Sequence, residues 1–450
     1  MPELFGTDGI RGQANCHPIT PEIALSLGKA IAHVFQARGH DTKRALIGKD
    51  TRLSGYMLET ALTSGLVSMG MDVFLVGPIP TPAVAQLTKS MNADVGIMLT
   101  ASHNPFDDNG IKIFNHDGYK LSDEIELAIE QHILSSELAS DHIRSENLGK
   151  AHRIEDARGR YIEFAKSSIQ NASLNGLTIG LDCANGAAYQ IGPWIFKELG
   201  ADVIKINADP DGYNINNNCG ALHPETVAKL VIENNADIGI AFDGDADRVI
   251  FCDADGNTVD GDRILAMCAL DYNSRDKLAQ STLVVTCMSN LGLVEAMQKS
   301  GIQVRTTPVG DRHVLECMRQ DGFSLGGEKS GHIIFSDYAT TGDGIISALQ
   351  VLKLMKQTGK TLAELAACIT EFPQRLESIP VREKIPVNDL PGLTSAISEC
   401  EADLGDEGRV IVRYSGTENK IRLLVEAKSV EKVDKWIQKL ELAVEKELGA

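Results

Sequence analysis

Aromatic residues make up only 5% of the 450-residue chain, with two tryptophans, and no apolar run approaches the ~18 residues that a membrane span needs. No cluster of lysine and arginine offsets a formal net charge of −19, set by 62 acidic against 43 basic residues. Such a charge repels nucleic acid and anionic membrane surfaces, so neither is an expected partner. The nine cysteines are odd in number and irregularly spaced, without any Cys-x-x-Cys, which argues against a thiolate zinc site and a disulfide framework. Reduced thiols point to the cytosol. Met1-Pro2-Glu3-Leu4 lacks the basic and apolar regions of a secretory signal, and the expectation is a cytoplasmic protein. Nucleotide signatures are missing as well. No Gly-x-Gly-x-x-Gly follows a strand, and Thr358-Gly359-Lys360-Thr361 fails as a P-loop because Leu354 stands where its first glycine must be. ATP-dependent and NAD-dependent chemistry are set aside on these grounds.

What the chain does have is a repeat. Ala45 to Gly48, a helix with Leu58, Leu62 and Leu66 on one side, Asp72 to Val76, a helix after Pro82, and Val95 to Thr100 read as strand, helix, strand, helix, strand. The order recurs from Leu177 to Phe242 and again from Leu283 to about Leu325. In each copy a glycine ends the first helix, at Gly70, Gly200 and Gly301, where a left-handed residue is needed. From about Phe372 the pattern changes to strand, helix, two strands and an amphipathic helix carrying Val433, Trp436, Ile437, Leu440 and Val444. The expected architecture is α/β: three tandem α/β/α domains with mixed, mostly parallel sheets at 1–150, 151–255 and 256–370, then a smaller α+β domain at 371–450. A single crossing near residue 370 is expected to join the tail to the rest. Ligands of such layers sit beyond the carboxyl ends of strands, which directs attention to the loop after each third strand.

The first of these loops is Thr100-Ala101-Ser102-His103-Asn104-Pro105. Ser102 is either a turn residue or a nucleophile on this segment alone; the Gly-x-Ser-x-Gly of a nucleophile elbow is absent. The second, Asp243-Gly244-Asp245-Ala246-Asp247-Arg248, sets three carboxylates at alternate positions, where like charges repel unless a hard cation such as Mg2+ lies among them. A calcium EF-hand is excluded by Arg248 at loop position six and Ala254 at position twelve. The third, Gly326-Gly327-Glu328-Lys329-Ser330-Gly331-His332, offers a carboxylate and a hydroxyl to vicinal sugar hydroxyls. In the tail, Arg413-Tyr414-Ser415-Gly416-Thr417-Glu418-Asn419-Lys420-Ile421-Arg422 combines two guanidinium groups, two hydroxyls and a glycine amide, a cradle suited to phosphate or else an exposed polar hairpin.

In this order the four loops resemble the alpha-D-phosphohexomutase family over essentially the whole chain. That resemblance implies an active site in the central cleft between four domains, a phosphoserine at Ser102, and Mg2+ held by it with Asp243, Asp245 and Asp247. Phe5-Gly6-Thr7-Asp8-Gly9-Ile10-Arg11-Gly12, Asp108-Asn109-Gly110-Ile111-Lys112 and Val309-Gly310-Asp311-Arg312 are most similar to members that interconvert glucosamine 6-phosphate and glucosamine 1-phosphate for UDP-N-acetylglucosamine and cell-wall precursors. Members acting on mannose or glucose phosphates come second. The implied route passes phosphate from Ser102 to the substrate, giving glucosamine 1,6-bisphosphate, which turns end for end and returns its other phosphate. Arg11 and Arg248 would offset charge on the transferring group. Glu328, Ser330, His332, Gly310 and Asp311 would hold the sugar, with Glu328 facing a protonated 2-amino group, and Arg413, Ser415, Gly416, Thr417 and Arg422 the unreacting phosphate. His103 and Lys112 are both candidates for moving the proton of the attacking hydroxyl. The implied partner is a small-molecule hexosamine phosphate, bound by a monomer or homodimer. Lys329, Tyr414 and Asn419 depart from the family's usual glutamine and prolines, and none of them removes a candidate ligand.

Overall fold

The computed structural model describes residues 4–6, 8–38, 43–135, 143–415 and 419–449. They pack as two units, Met1–Met288 with Gly301–Cys368, and Ser289–Ser300 with Ile369–Ala450. The first unit contains the sheets of the three repeats, and these share one plan. Arg44–Lys49 lies between Asp72–Pro78 and Val95–Leu99. Thr178–Asp182 lies between Asp202–Ile206 and Ile238–Phe242, and Thr282–Thr286 between Gln303–Thr307 and Leu325–Gly327. All six pairings are parallel, as strand-helix-strand units require. Strands covered by helices on both faces read as unbroken apolar runs, and Val95–Leu99 and Ile238–Phe242 are buried at every position.

Each third strand then pairs antiparallel with the strand that follows it: Asp108–Asn115, Val249–Asp253 and Ile333–Phe335. The repeat did not foretell this return. It turns the loop after each third strand into a hairpin connection anchored at both ends, with Leu99 facing Ile111, Phe242 facing Val249 and Gly327 facing Ile333. The first sheet takes one edge strand from Ala151–Arg153, the other being Ile10–Gln13, and the second takes one from Thr258–Val259, so that these sheets run past the boundaries expected at 150 and 255. Strands of two or three residues carry too little periodicity to be seen in a sequence. Gly70, Gly200 and Gly301 end their helices at φ 85°, 96° and 72°, as their spacing implied.

The second unit is a three-stranded antiparallel sheet with Lys420–Ala427 between Gln374–Pro380 and Gly408–Tyr414. Its core joins Leu423 and Val425 to Leu393 and Cys400 of the helix Pro391–Leu404 and to Trp436, Ile437 and Leu440 of Val430–Leu448. The helix Leu291–Lys299, although it springs from the third repeat, groups with this unit. Asn290 Nδ2 donates to Phe372 O at 3.0 Å, and Leu291 N–H donates to Glu426 Oε1 at 2.8 Å. The chain therefore passes between the units three times, correcting the single crossing expected near residue 370. Among the described residues no helix is long and apolar enough to cross a membrane.

Candidate active site

Three hairpin loops of the first unit converge. Ser102 follows the strand Val95–Leu99 in the left-handed region at φ 52°, a conformation that costs a residue with a β-carbon about 1 kcal/mol or more. Its hydroxyl is buried and donates to Asp243 Oδ2 of the second loop at 2.7 Å. Asp243, Asp245 and Asp247 are all buried, with carboxylate oxygens within 4.8 Å of one another. Burial, and after it the charges of Asp245 and Asp247, push the Asp243 carboxyl well above the usual range. Asp245 Oδ1 and Asp247 Oδ1 are buried without a hydrogen-bond partner. An all-oxygen donor set with two buried oxygens that accept no hydrogen bond fits Mg2+, which the acidic loop led us to expect.

Lys112, in the antiparallel strand Asp108–Asn115, brings its ammonium into the cluster. Nζ donates to Asp245 Oδ2 at 2.9 Å and Asp247 Oδ2 at 3.0 Å, and lies 3.4 Å from Asp8 Oδ2. Burial opposes its charge, but the carboxylates of Asp245, Asp247 and Asp8 outweigh burial and hold the lysine protonated. Asp8 also pairs with Arg11 at 2.5 Å and with Lys120, whose Nζ reaches Asp311 Oδ2 at 2.5 Å. An ion-pair chain thus links the first and third loops' surroundings. Arg248 Nη1 lies 3.2 Å from His103 Nδ1, and since a guanidinium only donates, that ring nitrogen accepts. Burial, then the Arg248 and Arg11 cations, push His103 down to about 4, so the ring is neutral at ordinary pH. Ser102 Oγ is 3.4 Å from the same nitrogen.

In the third loop Glu328 is buried and accepts from Gly310 N–H at 3.1 Å, which ties it to the start of the helix Asp311–Asp321. Ser330 is exposed, with Oγ 3.5 Å from Glu328 Oε2. His332 is buried, 3.7 Å from Asp247 Oδ1 and 3.6 Å from Asp311 Oδ2, while Gly342 N–H donates to its Nε2 at 3.0 Å. Lys329 turns toward Asp260, 3.6 Å away. Ser102, His103, Arg11, Lys112, the three aspartates, Arg248, Gly310, Asp311, Glu328 and His332 are therefore linked by direct contacts within one unit.

The expected phosphate residues Arg413, Ser415 and Arg422 lie in the second unit; Gly416 and Thr417 lie outside the described residues. Arg413 and Arg422 stand directly opposite on paired strands, an arrangement of like charges that favours an anion. Arg422 Nε is buried without a hydrogen-bond partner. Ser415 is buried, and its carbonyl accepts from Lys384 Nζ at 2.7 Å. Tyr414 is anchored through its hydroxyl to Ile385 O at 2.5 Å.

Several residues of the site escaped the sequence reading. Thr81 donates its hydroxyl to Asp245 Oδ2 at 2.6 Å and its amide to Asp245 O at 2.9 Å. Asp8 and Lys120 form the ion-pair chain, and Arg52 and Asn216 hold the serine loop's backbone. Arg52 lies just beyond the strand Arg44–Lys49, so the rule about carboxyl ends of strands, applied to the first strand as well as the third, would have found it.

Four family models match the chain in order: phosphoglucomutase/phosphomannomutase alpha/beta/alpha domain I over residues 2–140, domain II over 159–256, domain III over 260–372, and the C-terminal domain over 376–443. The chain is 51% identical to a phosphoglucosamine mutase of Geotalea daltonii, covering 100% of this chain and 99% of that protein. It is 53% identical over 432 residues to one of Anaeromyxobacter dehalogenans, covering 94% of each. Among solved structures it is similar to a phosphoglucomutase/phosphomannomutase family protein of Burkholderia thailandensis, with a TM-score of 0.81, 24% identity, and 99% and 97% of the two chains covered. An Aspergillus fumigatus N-acetylphosphoglucosamine mutase in complex with GlcNAc-6P and magnesium shares the fold at a TM-score of 0.65, 19% identity, and 99% and 96% coverage. With four matched domains in order and half its residues shared with phosphoglucosamine mutases from end to end, the chain belongs to the alpha-D-phosphohexomutase family, isomerases that move a phosphoryl group within a sugar phosphate.

Proposed function

We propose that the chain interconverts glucosamine 6-phosphate and glucosamine 1-phosphate, with Ser102 as the phosphoryl carrier and glucosamine 1,6-bisphosphate as the intermediate. The observation that carries this is the meeting of the Ser102 hydroxyl with the acidic loop, 2.7 Å from Asp243 and beside a cluster that also holds Lys112, His103 and Arg248. The names of the half-identical relatives support the substrate. So does Glu328, a buried carboxylate suited to a 2-ammonium group. Glucosamine phosphates feed UDP-N-acetylglucosamine and cell-wall precursors. The nine free thiols are consistent with a cytoplasmic setting, and the chain acts as a monomer or homodimer on a small molecule.

In the forward step the substrate's free hydroxyl oxygen bonds to phosphorus as the bond from phosphorus to Ser102 Oγ breaks. Phosphoryl transfer is mostly positioning and charge stabilisation. Mg2+ held by phospho-Ser102, Asp243, Asp245 and Asp247 would supply Lewis-acid stabilisation of the phosphoryl oxygens. Lys112, whose ammonium faces three carboxylates, serves as a fixed cation and leaves His103 as the proton acceptor near Ser102. Arg248 and Arg11 offset charge on the transferring group. After the bisphosphate turns over, its other phosphate goes back to Ser102. The second unit's Arg413, Ser415 and Arg422, with Gly416 and Thr417, bind the phosphate that is not reacting, a part that a simple phosphatase would not need.

Intact mass of the purified protein should show one added phosphate that is absent in Ser102→Ala. That variant should form no glucosamine 6-phosphate from glucosamine 1-phosphate. An active Ser102→Ala would sink the carrier role. A larger kcat/KM for mannose or glucose phosphate than for glucosamine phosphate would reassign the substrate.

A further inference from the structure

Two residues outside the reacting cluster grip the serine loop by its backbone. The loop turns the carbonyls of Ser102, Asn104, Pro105 and Asp108 inward, and carbonyls turned away from water need donors. Arg52 supplies them. Its side chain is fully buried, and its five N–H protons are matched by five acceptors. Nε donates to Asp50 Oδ2 at 2.8 Å. Nη1 donates to Pro105 O and, at 3.0 Å, to Asp108 O. Nη2 donates to Ser102 O at 3.0 Å and Asn104 O at 2.9 Å.

Asn216, from the second repeat, takes hold of the same two carbonyls. Its amide nitrogen donates to Ser102 O at 2.8 Å and Asn104 O at 3.0 Å. Both partners are acceptors, so the nitrogen and not the oxygen must face them. The acidic loop closes on this point as well: a β-carbon on Gly244 would lie 2.5 Å from Ser102 O and 2.7 Å from Asn216 Nδ2. The backbone of the serine loop, the Asn216 amide and the acidic loop are therefore in register at one place.

We infer that Arg52 and Asn216 are positioning residues that hold Ser102 against the acidic loop through every state of the cycle, an inference that rests on Ser102 being the phosphoryl carrier. The reason is a loss that phosphorylation imposes. Once Oγ carries phosphate it has no proton to donate, and its 2.7 Å hydrogen bond to Asp243 is lost. Whenever no cation lies among them, a phosphate brought beside three carboxylates also repels them. The side-chain contact that registers the loops in the free enzyme is thus unavailable in the phosphorylated one. A grip on backbone carbonyls does not depend on what Oγ carries, and it resists the repulsion from behind.

Asn216→Ala tests this, with Asn216→Asp as the stronger case because it sets carboxylate oxygens against the two carbonyls. A displacement of an ångström in a reacting group costs up to about 10²-fold in rate. We expect Asn216→Ala to lower kcat by roughly 10- to 100-fold with KM changed by less than about 2-fold. Discharge of phospho-Ser102 in a single turnover should slow by the same factor. The melting temperature should fall only modestly, since Asn216 is a half-buried loop residue whose φ of 57° suits asparagine better than alanine by about 1 kcal/mol. Asn216→Asp should be slower still. Arg52→Lys keeps the charge but not the fork, and should show the same split of kcat from KM together with a lower melting temperature. If Arg52→Lys does not fold, the two Asn216 variants decide. Unchanged discharge in both, or kcat and KM shifting only with lost folded protein, would overturn the positioning role. Ser102→Ala measured in parallel separates the premises: an active Ser102→Ala overturns the carrier and this inference with it, whereas inactive Ser102→Ala beside fully active Asn216 variants overturns the positioning alone.

Discussion

The serine loop and the acidic loop occupy the same place in two copies of one repeat, yet their side chains are treated differently. Each follows a buried third strand and leads into an antiparallel return. The serine loop is fixed through its backbone, by Arg52 and Asn216 on its carbonyls, which leaves the Ser102 side chain free to change its chemical state. The acidic loop is held at its backbone too, Gly244 O, Asp245 O and Ala246 O accepting from Ala187, Thr81 and Gly344 N–H, but its functional side chains are also fixed, with Thr81 and Lys112 on Asp245, Lys112 and His332 on Asp247, and Ser102 on Asp243. A group that is transferred needs support from behind, and a set of ligands needs to be held in front. The common frame provides the position, and the polar partners provide the role.

The largest effect should come from Ser102→Ala, which removes the side chain but none of its loop's backbone support. Isomerisation should fall by about 10⁴-fold or more, with the melting temperature near that of the wild type. A variant that loses its fold instead would mean that the Oγ to Asp243 contact, and not the carbonyl grip, holds the loop. Next in size is Asp245→Asn. It breaks an oxygen ligand set while keeping the bond from Thr81, so activity should drop by roughly 10²-fold and need more Mg2+ for half-saturation. Unchanged activity after exhaustive chelation of the wild type would refute the metal's part.

Lys112→Met probes how much the acidic loop relies on side-chain charge. Removing the ammonium leaves Asp245, Asp247 and Asp8 with less compensation in a buried place, and breaking such a pair costs on the order of 3–5 kcal/mol. Chemical denaturation without added metal should show that loss, and Mg2+ should restore part of it by replacing one cation with another. If Mg2+ restores nothing, the carboxylates are not gathered for a cation.

The repeat and the four chemical loops were legible because their signals are local: apolar strands of five residues, glycines after helices, and charged residues packed into short turns. Asp243-Gly244-Asp245-Ala246-Asp247 could hardly be anything but a site, since three carboxylates at that spacing repel one another without a partner. The supports were hidden for the converse reason. Arg52 and Asn216 sit in segments that read as ordinary polar turns, and their meaning lies in carbonyls 50 and 114 residues away. The helix Leu291–Lys299 has the periodicity of its own repeat, and only tertiary packing shows that it belongs with the tail. The short edge strands Ala151–Arg153 and Thr258–Val259 exist because a sheet edge was available to pair with, which no local pattern records.

The smallest effect concerns a brace behind the acidic loop. The helix Gly344–Thr358 begins against it, with Gly344 N–H donating to Ala246 O at 3.0 Å, and Asp343 caps that helix by accepting from Ile346 N–H at 2.9 Å. The Asp343 carboxyl is buried and also accepts from the Tyr161 hydroxyl, at 2.9 and 2.8 Å to its two oxygens. Burial raises it from the ordinary 3.8 to about 6, more than its hydrogen bonds lower it. Between these values the folded chain keeps a proton that the unfolded chain has released, so Asp343's contribution to stability is full below about pH 4 and falls as pH rises to 6. Asp343→Asn keeps an oxygen for the cap but cannot titrate, so denaturation midpoints of wild type and variant should diverge across this window. The wild type should lose ground to the variant as pH increases. A difference that stays flat from pH 4 to 6 would mean that Asp343 is ionised throughout, and the acidic loop would then have a fixed brace behind it, as the serine loop has in Arg52.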